Sequence, residues 1–95
     1  MKLQINKRAV DDLSAIFAYG LEQFGQQQAQ SYVSQFQSHL TLLLANPLMG
    51  QDMSYIRAEI RRSLCNEHVI YYRITQHTLV VMRVLHGRQD PMRHL

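Results

Sequence analysis

The sequence predicts an α+β fold in the order β-α-α-β-β-β, with a helical hairpin packed on a small antiparallel sheet. Three observations predict it. Two apolar stripes at helical spacing, within residues 10–24 and 29–44, follow a short alternating segment. The second half is rich in β-branched and aromatic residues, alternating in one stretch and apolar on both parities in another. Only a few residues separate neighbouring segments, so the helices must double back and the late strands must form hairpins.

Residues 2–6 set Leu3 and Ile5 against Lys2, Gln4 and Asn6, the alternation of a strand. Val10, Leu13, Ile16, Phe17, Leu21 and Phe24 then line one helix face. Asp11 and Asp12 are expected in its first turn, where a carboxylate favours the positive helix end. Gly25 stops the helix as a glycine C-cap does. Ala29, Tyr32, Val33, Phe36, Leu40, Leu43 and Leu44 form the second stripe, and its other face is Gln and Ser with little charge. Asn46 and Pro47 close it. Residues 48–54 read as a loop. Ile56, Ala58, Ile60 and Leu64 share one parity, with Arg57, Glu59 and Arg61 on the other, which predicts a strand over 56–64. Residues 69–74 form the next strand and 75–78 a hairpin turn. Residues 79–85 are apolar on both parities and read as a central strand covered on both sides. Tyr71 and Tyr72 must face opposite sides, one under the helices and one on an open sheet face. The tail after His86, with Gly87 and Pro91, reads as irregular. The helix hairpin buries its stripes on one face of the three-strand meander, and the first strand pairs with one of those strands.

Ninety-five residues without a linker make one domain, 1–95. A hydrophobic fraction of 46% argues against disorder. The lone Cys65 cannot form an internal disulfide, which suits the reducing cytoplasm. The first residues lack the apolar core of a signal peptide, and no apolar run approaches the ~20 residues of a membrane span. A cytoplasmic protein without a membrane partner is expected. The net charge of +3 is unevenly spread. Residues 1–52 hold three basic and four acidic side chains, whereas residues 53–95 hold seven arginines, no lysine and three acids. Arginine grips carboxylates and phosphates with a planar fork of donors, so the second half suits an acidic partner or nucleic acid, unless its charges simply face solvent.

Catalytic signatures are sparse. The four glycines stand alone at 20, 25, 50 and 87, so no phosphate-cradling loop exists. His39, His68, His77, His86 and His94 lack metal-ligand spacing, and Cys65 with His68 falls short of the four ligands of a zinc site. No metal or cofactor is expected. Cys65, beside Arg61 and Arg62, reads as a small packed residue rather than a nucleophile. Glu59 or Glu67 as base, an arginine on the phosphate and His86 as acid would supply a metal-free ribonuclease, although nothing in the spacing demands it. His86 ends the central strand, where functional side chains emerge, but it reads first as a partly buried strand-end histidine that hydrogen-bonds the tail.

Five segments in order carry a resemblance to a known family. They are Ala9-Val-Asp-Asp-Leu-Ser-Ala-Ile16, Leu43-Leu-Ala-Asn-Pro-Leu-Met-Gly50, Ile56-Arg57 with Arg61-Arg62, His68-Val-Ile-Tyr-Tyr-Arg73 and Arg83-Val-Leu-His-Gly-Arg-Gln-Asp90. The chain resembles the ParE branch of the RelE/ParE superfamily of type II toxin–antitoxin systems over essentially its whole length. The resemblance implies a toxin that binds DNA gyrase and blocks replication without catalysis. It implies a ParD-like antitoxin that neutralises the toxin in a hetero-oligomer, and contact with operator DNA only through that complex. The arginine-rich part would supply the partner-binding residues: Arg57, Arg61, Arg62, Arg73, Arg83, His86, Arg88 and Arg93. The RelE branch, which cuts messenger RNA on the ribosome, is the alternative, and its catalytic set here would be Arg62, Arg83 and His86. That branch commonly has a Tyr or His near the C-terminus; this chain ends Pro-Met-Arg-His-Leu without a terminal Tyr, and Val69 and Ile70 stand where some nuclease relatives place an Arg, so gyrase binding is favoured.

Overall fold

A computed structural model describes residues 1–95. In chain order the elements are β1 (Lys2–Ile5), α1 (Lys7–Phe24), α2 (Gln26–Ala45), β2 (Gln51–Asp52), β3 (Arg61–Cys65), β4 (His68–Thr75), β5 (Thr78–His86) and α3 (Pro91–His94). The strands lie in the order β1-β5-β4-β3-β2. The meander β3-β4-β5 is antiparallel, and β1 runs parallel to β5, with Leu3 opposite Leu79 and Ile5 opposite Val81. The α+β fold and the helical hairpin on one sheet face are therefore as the sequence predicts. No helix is long and apolar enough to cross a membrane.

Gly25 alone separates the helices, and its φ of 87° is one that a side chain would resist. The amphipathic spacing turns Ala9 and Leu13 of α1, and Phe36, Leu40 and Leu43 of α2, onto the sheet. There they meet Cys65, Ile70, Tyr72, Leu79, Val81 and Val84 in the main core. Each fully buried aliphatic side chain contributes about 1.5–3 kcal/mol.

The start of α1 differs from expectation. The helix begins at Lys7 and has no acidic residue in its first turn. Asp11 and Asp12 fall in the second turn. Asp11 pairs with Lys7 in solvent, while Asp12 points to the sheet. The reason lies in β1, which ends at Ile5 and leaves the rest of the β5 edge without a strand. Asp12 fills that gap: its Oδ2 accepts the backbone N–H of Val84 at 2.9 Å.

The other sheet face also departs from expectation. Residues 56–60 form no strand, and β3 starts at Arg61. Glu59 takes a φ of 63°, which breaks an extended run. The segment folds back instead, and the backbone N–H of Met53 donates to the carbonyl of Ile60. Met53 and Ile60 then bury themselves on Val69, Tyr71 and Leu85, with Ile56 and Leu95 beside them. Consequently no open sheet face awaits a tyrosine. Tyr72 packs under the helices, and Tyr71 is just as buried beneath the folded-back segment. Leu95 arrives through α3, which replaces the irregular tail. Asp90 caps it by accepting from the N–H of Met92, and Pro91 opens it. Gln51–Asp52, expected as loop, forms a two-residue edge strand on Arg61 and Arg62.

The turn after α2 explains its Pro-x-x-Gly pattern. The Tyr72 hydroxyl donates to the carbonyl of Pro47 at 2.8 Å and accepts the N–H of Gly50 at 3.0 Å. A Cβ on residue 50 would lie 2.3 Å from that hydroxyl oxygen and 2.9 Å from the carbonyl of Arg62. Only glycine lets the chain pass.

Candidate functional site

The basic residues singled out by the sequence fall into different environments. Arg61 is spent on the fold, its Nη1 donating to the carbonyls of Leu48 and Gly50 at 3.3 and 2.8 Å. Arg83 is spent too. Between Tyr71 and Tyr72 the β4–β5 register shifts, with Arg83 opposite Tyr71 and Val81 opposite Tyr72, so Met82 is the extra residue of a bulge. The Arg83 guanidinium reaches Asp12 through two bonds, Nε to Oδ2 at 2.8 Å and Nη2 to Oδ1 at 2.9 Å. Its Nη1 donates to the carbonyl of His94. The Asp12 bond holds Arg83 more firmly in its charged form than usual. One side chain thus ties α1, β5 and α3 together.

Five arginines have no such commitment. Arg57 sits in the folded-back segment, Arg88 in the turn after β5 and Arg93 on α3, all exposed. Arg62 and Arg73 lie half-buried on β3 and β4. By register Arg62 shares the face of Tyr71, and Arg73, two residues on along β4, shares it as well. Both therefore lie on the face turned away from the hairpin, the one that the segments carrying Arg57 and Arg93 cover. The Nε of Arg73 is buried with no hydrogen-bond partner. The two ion pairs of the molecule, Lys7–Asp11 and Asp12–Arg83, involve none of the five. Leu64 on β3 and Tyr55 add apolar surface, at 62% and 76% exposure. This is an arginine face with aromatic and aliphatic patches, suited to a carboxylate-bearing partner.

His86 belongs elsewhere. It faces the hairpin side and lines a groove of about 560 Å³ with Phe17, Tyr19, Phe24, Tyr32, Glu67 and His68. Its ring meets the ring of His68 edge to face, with centroids 5.5 Å apart. His68 Nδ1 in turn lies 2.6 Å from the Tyr32 hydroxyl of α2. Burial keeps the Tyr32 hydroxyl protonated well above the ordinary range, helped by Cys65 and Glu67. Burial also lowers the His68 pKa, as does the neighbouring His86, while Glu67 opposes the shift. Tyr19 and Phe24 are each 61% exposed and leave the mouth of the groove apolar.

The nuclease set Arg62, Arg83 and His86 is not brought together. Arg62 and His86 lie on opposite sheet faces, with β4 between their strands. Arg83 is bound to Asp12. No group of three or more His, Cys, Asp or Glu side chains is placed to hold a metal ion. Sequence reasoning missed Tyr32, which sits within an apolar stripe, and Asp12, which looks like a helix-start carboxylate. A signal existed for Tyr32: a tyrosine in a core stripe needs a partner for its hydroxyl.

Comparison with known proteins places this architecture. Residues 3–91 match the family model described as ParE toxin of type II toxin-antitoxin system, parDE. The chain belongs to the ParE toxin family. It is 32% identical over 92 residues to Toxin ParE1 of Caulobacter vibrioides, covering 97% of this chain and 95% of that one. It is 33% identical over 84 residues to Toxin ParE1 of Mycobacterium tuberculosis, covering 87% of this chain and 86% of that one. Among solved structures, the chromosomal ParDE TA system from P. aeruginosa has a chain that superposes with a TM-score of 0.77 at 19% identity. That match covers 90% of this chain and 95% of the other, and it supports the shared fold. As a ParE family member, the chain is the toxin component of a type II toxin–antitoxin system.

Proposed function

We propose that this ParE toxin acts in the cytoplasm by binding DNA gyrase, without chemistry of its own, as one domain over residues 1–95. The observation that carries the reading is the dispersal of the nuclease set: Arg62 and His86 face opposite sides, and Arg83 is consumed by Asp12. A general acid, a base and a phosphate-binding cation must meet within hydrogen-bond reach of one phosphate. A binding toxin needs only a surface. Here the surface is the arginine face, with Arg57, Arg62, Arg73 and Arg93 as contacts and Arg88 in the turn after β5 as a further basic contact.

The same reading gives the toxin a ParD-like antitoxin. An acidic, disordered segment would fold across the toxin, setting apolar anchors in the hairpin groove and carboxylates on the arginines. Operator DNA is then met only through the complex. In this arrangement Arg61 and Arg83 act through the fold rather than by touching a partner.

A supercoiling assay with purified toxin and gyrase tests the proposal. The expected result is inhibition that a cognate antitoxin relieves. Intact supercoiling at a large excess of toxin, together with cuts in messenger RNA on translating ribosomes, would overturn it in favour of the RelE-like activity.

A further inference from the structure

The contact between His68 and His86 is used by no part of the reading above. It lines the groove where Tyr32 of α2 meets the sheet. We propose that the His68–His86 pair is a proton-operated latch: with neutral rings it holds the Tyr32 end of α2 on the sheet, and with both rings charged it releases that end and reshapes the groove. The inference concerns the toxin chain alone and stands whether the target is gyrase or the ribosome.

The neutral state is defined by its hydrogen bonds. The backbone N–H of Arg88 lies 3.2 Å from His86 Nδ1. A backbone N–H can only donate, so that nitrogen carries a lone pair and the neutral ring holds its hydrogen on Nε2. Charging His86 places a proton on Nδ1 and removes the bond at the exit from β5. His68 Nδ1 is engaged by the Tyr32 hydroxyl, and the two imidazoles meet at 84°, an arrangement suited to uncharged rings. Two cations with ring centres 5.5 Å apart repel each other there.

The surroundings decide how many protons the pair accepts. Ile16 and Phe17 of α1 bring no charge to the groove, and Gln28 and Tyr32 of α2 are neutral. The Cys65 thiol of β3 is also kept protonated by burial. Glu67, in the β3–β4 turn, is the only carboxylate lining the groove. Arg88, next after Gly87 in the turn that follows β5, carries a further positive charge. One proton finds a counter-charge in Glu67 and the second finds none. The second proton therefore favours any conformation that separates the rings or opens them to water. The Tyr32 hydroxyl joins His68 to α2, so separation frees the hairpin at that point.

Histidine-resolved NMR titration of the full chain from pH 8 to 5 tests the latch. The His68 midpoint should lie below 6.5 in the wild type and move upward in His86→Gln, which removes the second charge. Amide exchange of residues 29–36, corrected for intrinsic rates, should be faster at pH 5.5 than at 7.5 in the wild type but not in the variant. An unmoved His68 midpoint, or equal protection at both pH values in the wild type, would overturn the proposal. If His86→Gln does not fold, the wild-type curves carry the test. In the wild type the His68 curve should carry a second inflection from its charged neighbour, and a single-step His68 curve would overturn the latch.

Discussion

The two faces of the sheet are buried by different means. The hairpin face is covered by regular helices whose apolar stripes supply Leu13, Phe36, Leu40 and Leu43. The opposite face is covered by an irregular segment and a four-residue helix, which deliver Met53, Ile56, Ile60 and Leu95. The difference extends to the polar groups. On the hairpin side His39, Tyr32 and Tyr72 each find a partner across the layer. On the other side Arg73 keeps a buried Nε without one, and Leu64 stays 62% exposed. The face sealed by helices satisfies these polar groups within the chain and leaves only the apolar groove mouth at Tyr19 and Phe24 open. The face sealed by a loop leaves arginines and the exposed Leu64 for a partner, and the charged part of the surface proposed for binding is found there.

Substitutions that touch the joints between these layers give the largest effects. Asp12→Ala strips Arg83 of its carboxylate and leaves the Val84 N–H without its acceptor, and both side chains of the pair are only 12–15% exposed. Removing one partner of a buried pair costs about 3–5 kcal/mol, a large share of the ~5–15 kcal/mol that stabilises a domain. Urea denaturation should show the variant largely unfolded or with a much lower midpoint. A loss below ~1 kcal/mol would mean that the pair behaves as a surface ion pair.

The next test sets one face against the other. Leu43→Ala, under the hairpin, should cost about 2–5 kcal/mol because rigid helices cannot close the cavity. Ile60→Ala, equally buried, should fall at the low end of that range, since the folded-back segment can settle into the space. Equal losses in paired denaturation curves would break the distinction between the faces. Gly50→Ala comes lower, at about 1–3 kcal/mol, because it forces a methyl group to within 2.3 Å of the Tyr72 hydroxyl. Adding Tyr72→Phe should recover only part of the loss, since the Arg62 carbonyl still stands 2.9 Å away.

These contrasts also explain what was legible in the sequence. Helical periodicity exposed α1 and α2, and the doubly apolar run exposed β5, because repeating patterns report regular elements. Ile56, Ala58 and Ile60 imitate a strand because they too must place alternate side chains on a surface. The turns through residues 54–59, with the positive φ of Glu59, separate the cases, and no side-chain pattern announces them. The arginine count was legible, but not which arginines were free. Asp12 and Arg83 are 71 positions apart, and Tyr32 and His68 are 36 apart, so their pairing follows from topology alone. The Pro47–Gly50 motif was visible, yet its reason, the Tyr72 hydroxyl, lies on another strand.

The smallest expected effect separates two sources of pH dependence on the hairpin side. His39 of α2 lies 2.7 Å from the Ser63 hydroxyl of β3, and burial lowers its pKa. The folded chain then resists the proton that the unfolded chain accepts near 6.5. Stability is full above that value, falls as the pH drops below it, and levels off once the folded imidazole also protonates. His68 is shifted in the same direction, so the wild type should lose stability between pH 7.5 and 5.5 through both groups. His39→Gln keeps a hydrogen-bonding group for Ser63 and removes the charge, so its urea midpoint should fall less over that interval. A fall equal to the wild type would show that His39 contributes nothing to the loss. The guanidinium groups of the arginine face stay charged throughout this range, so the loss traced to His39 and His68 arises on the side that the helices cover.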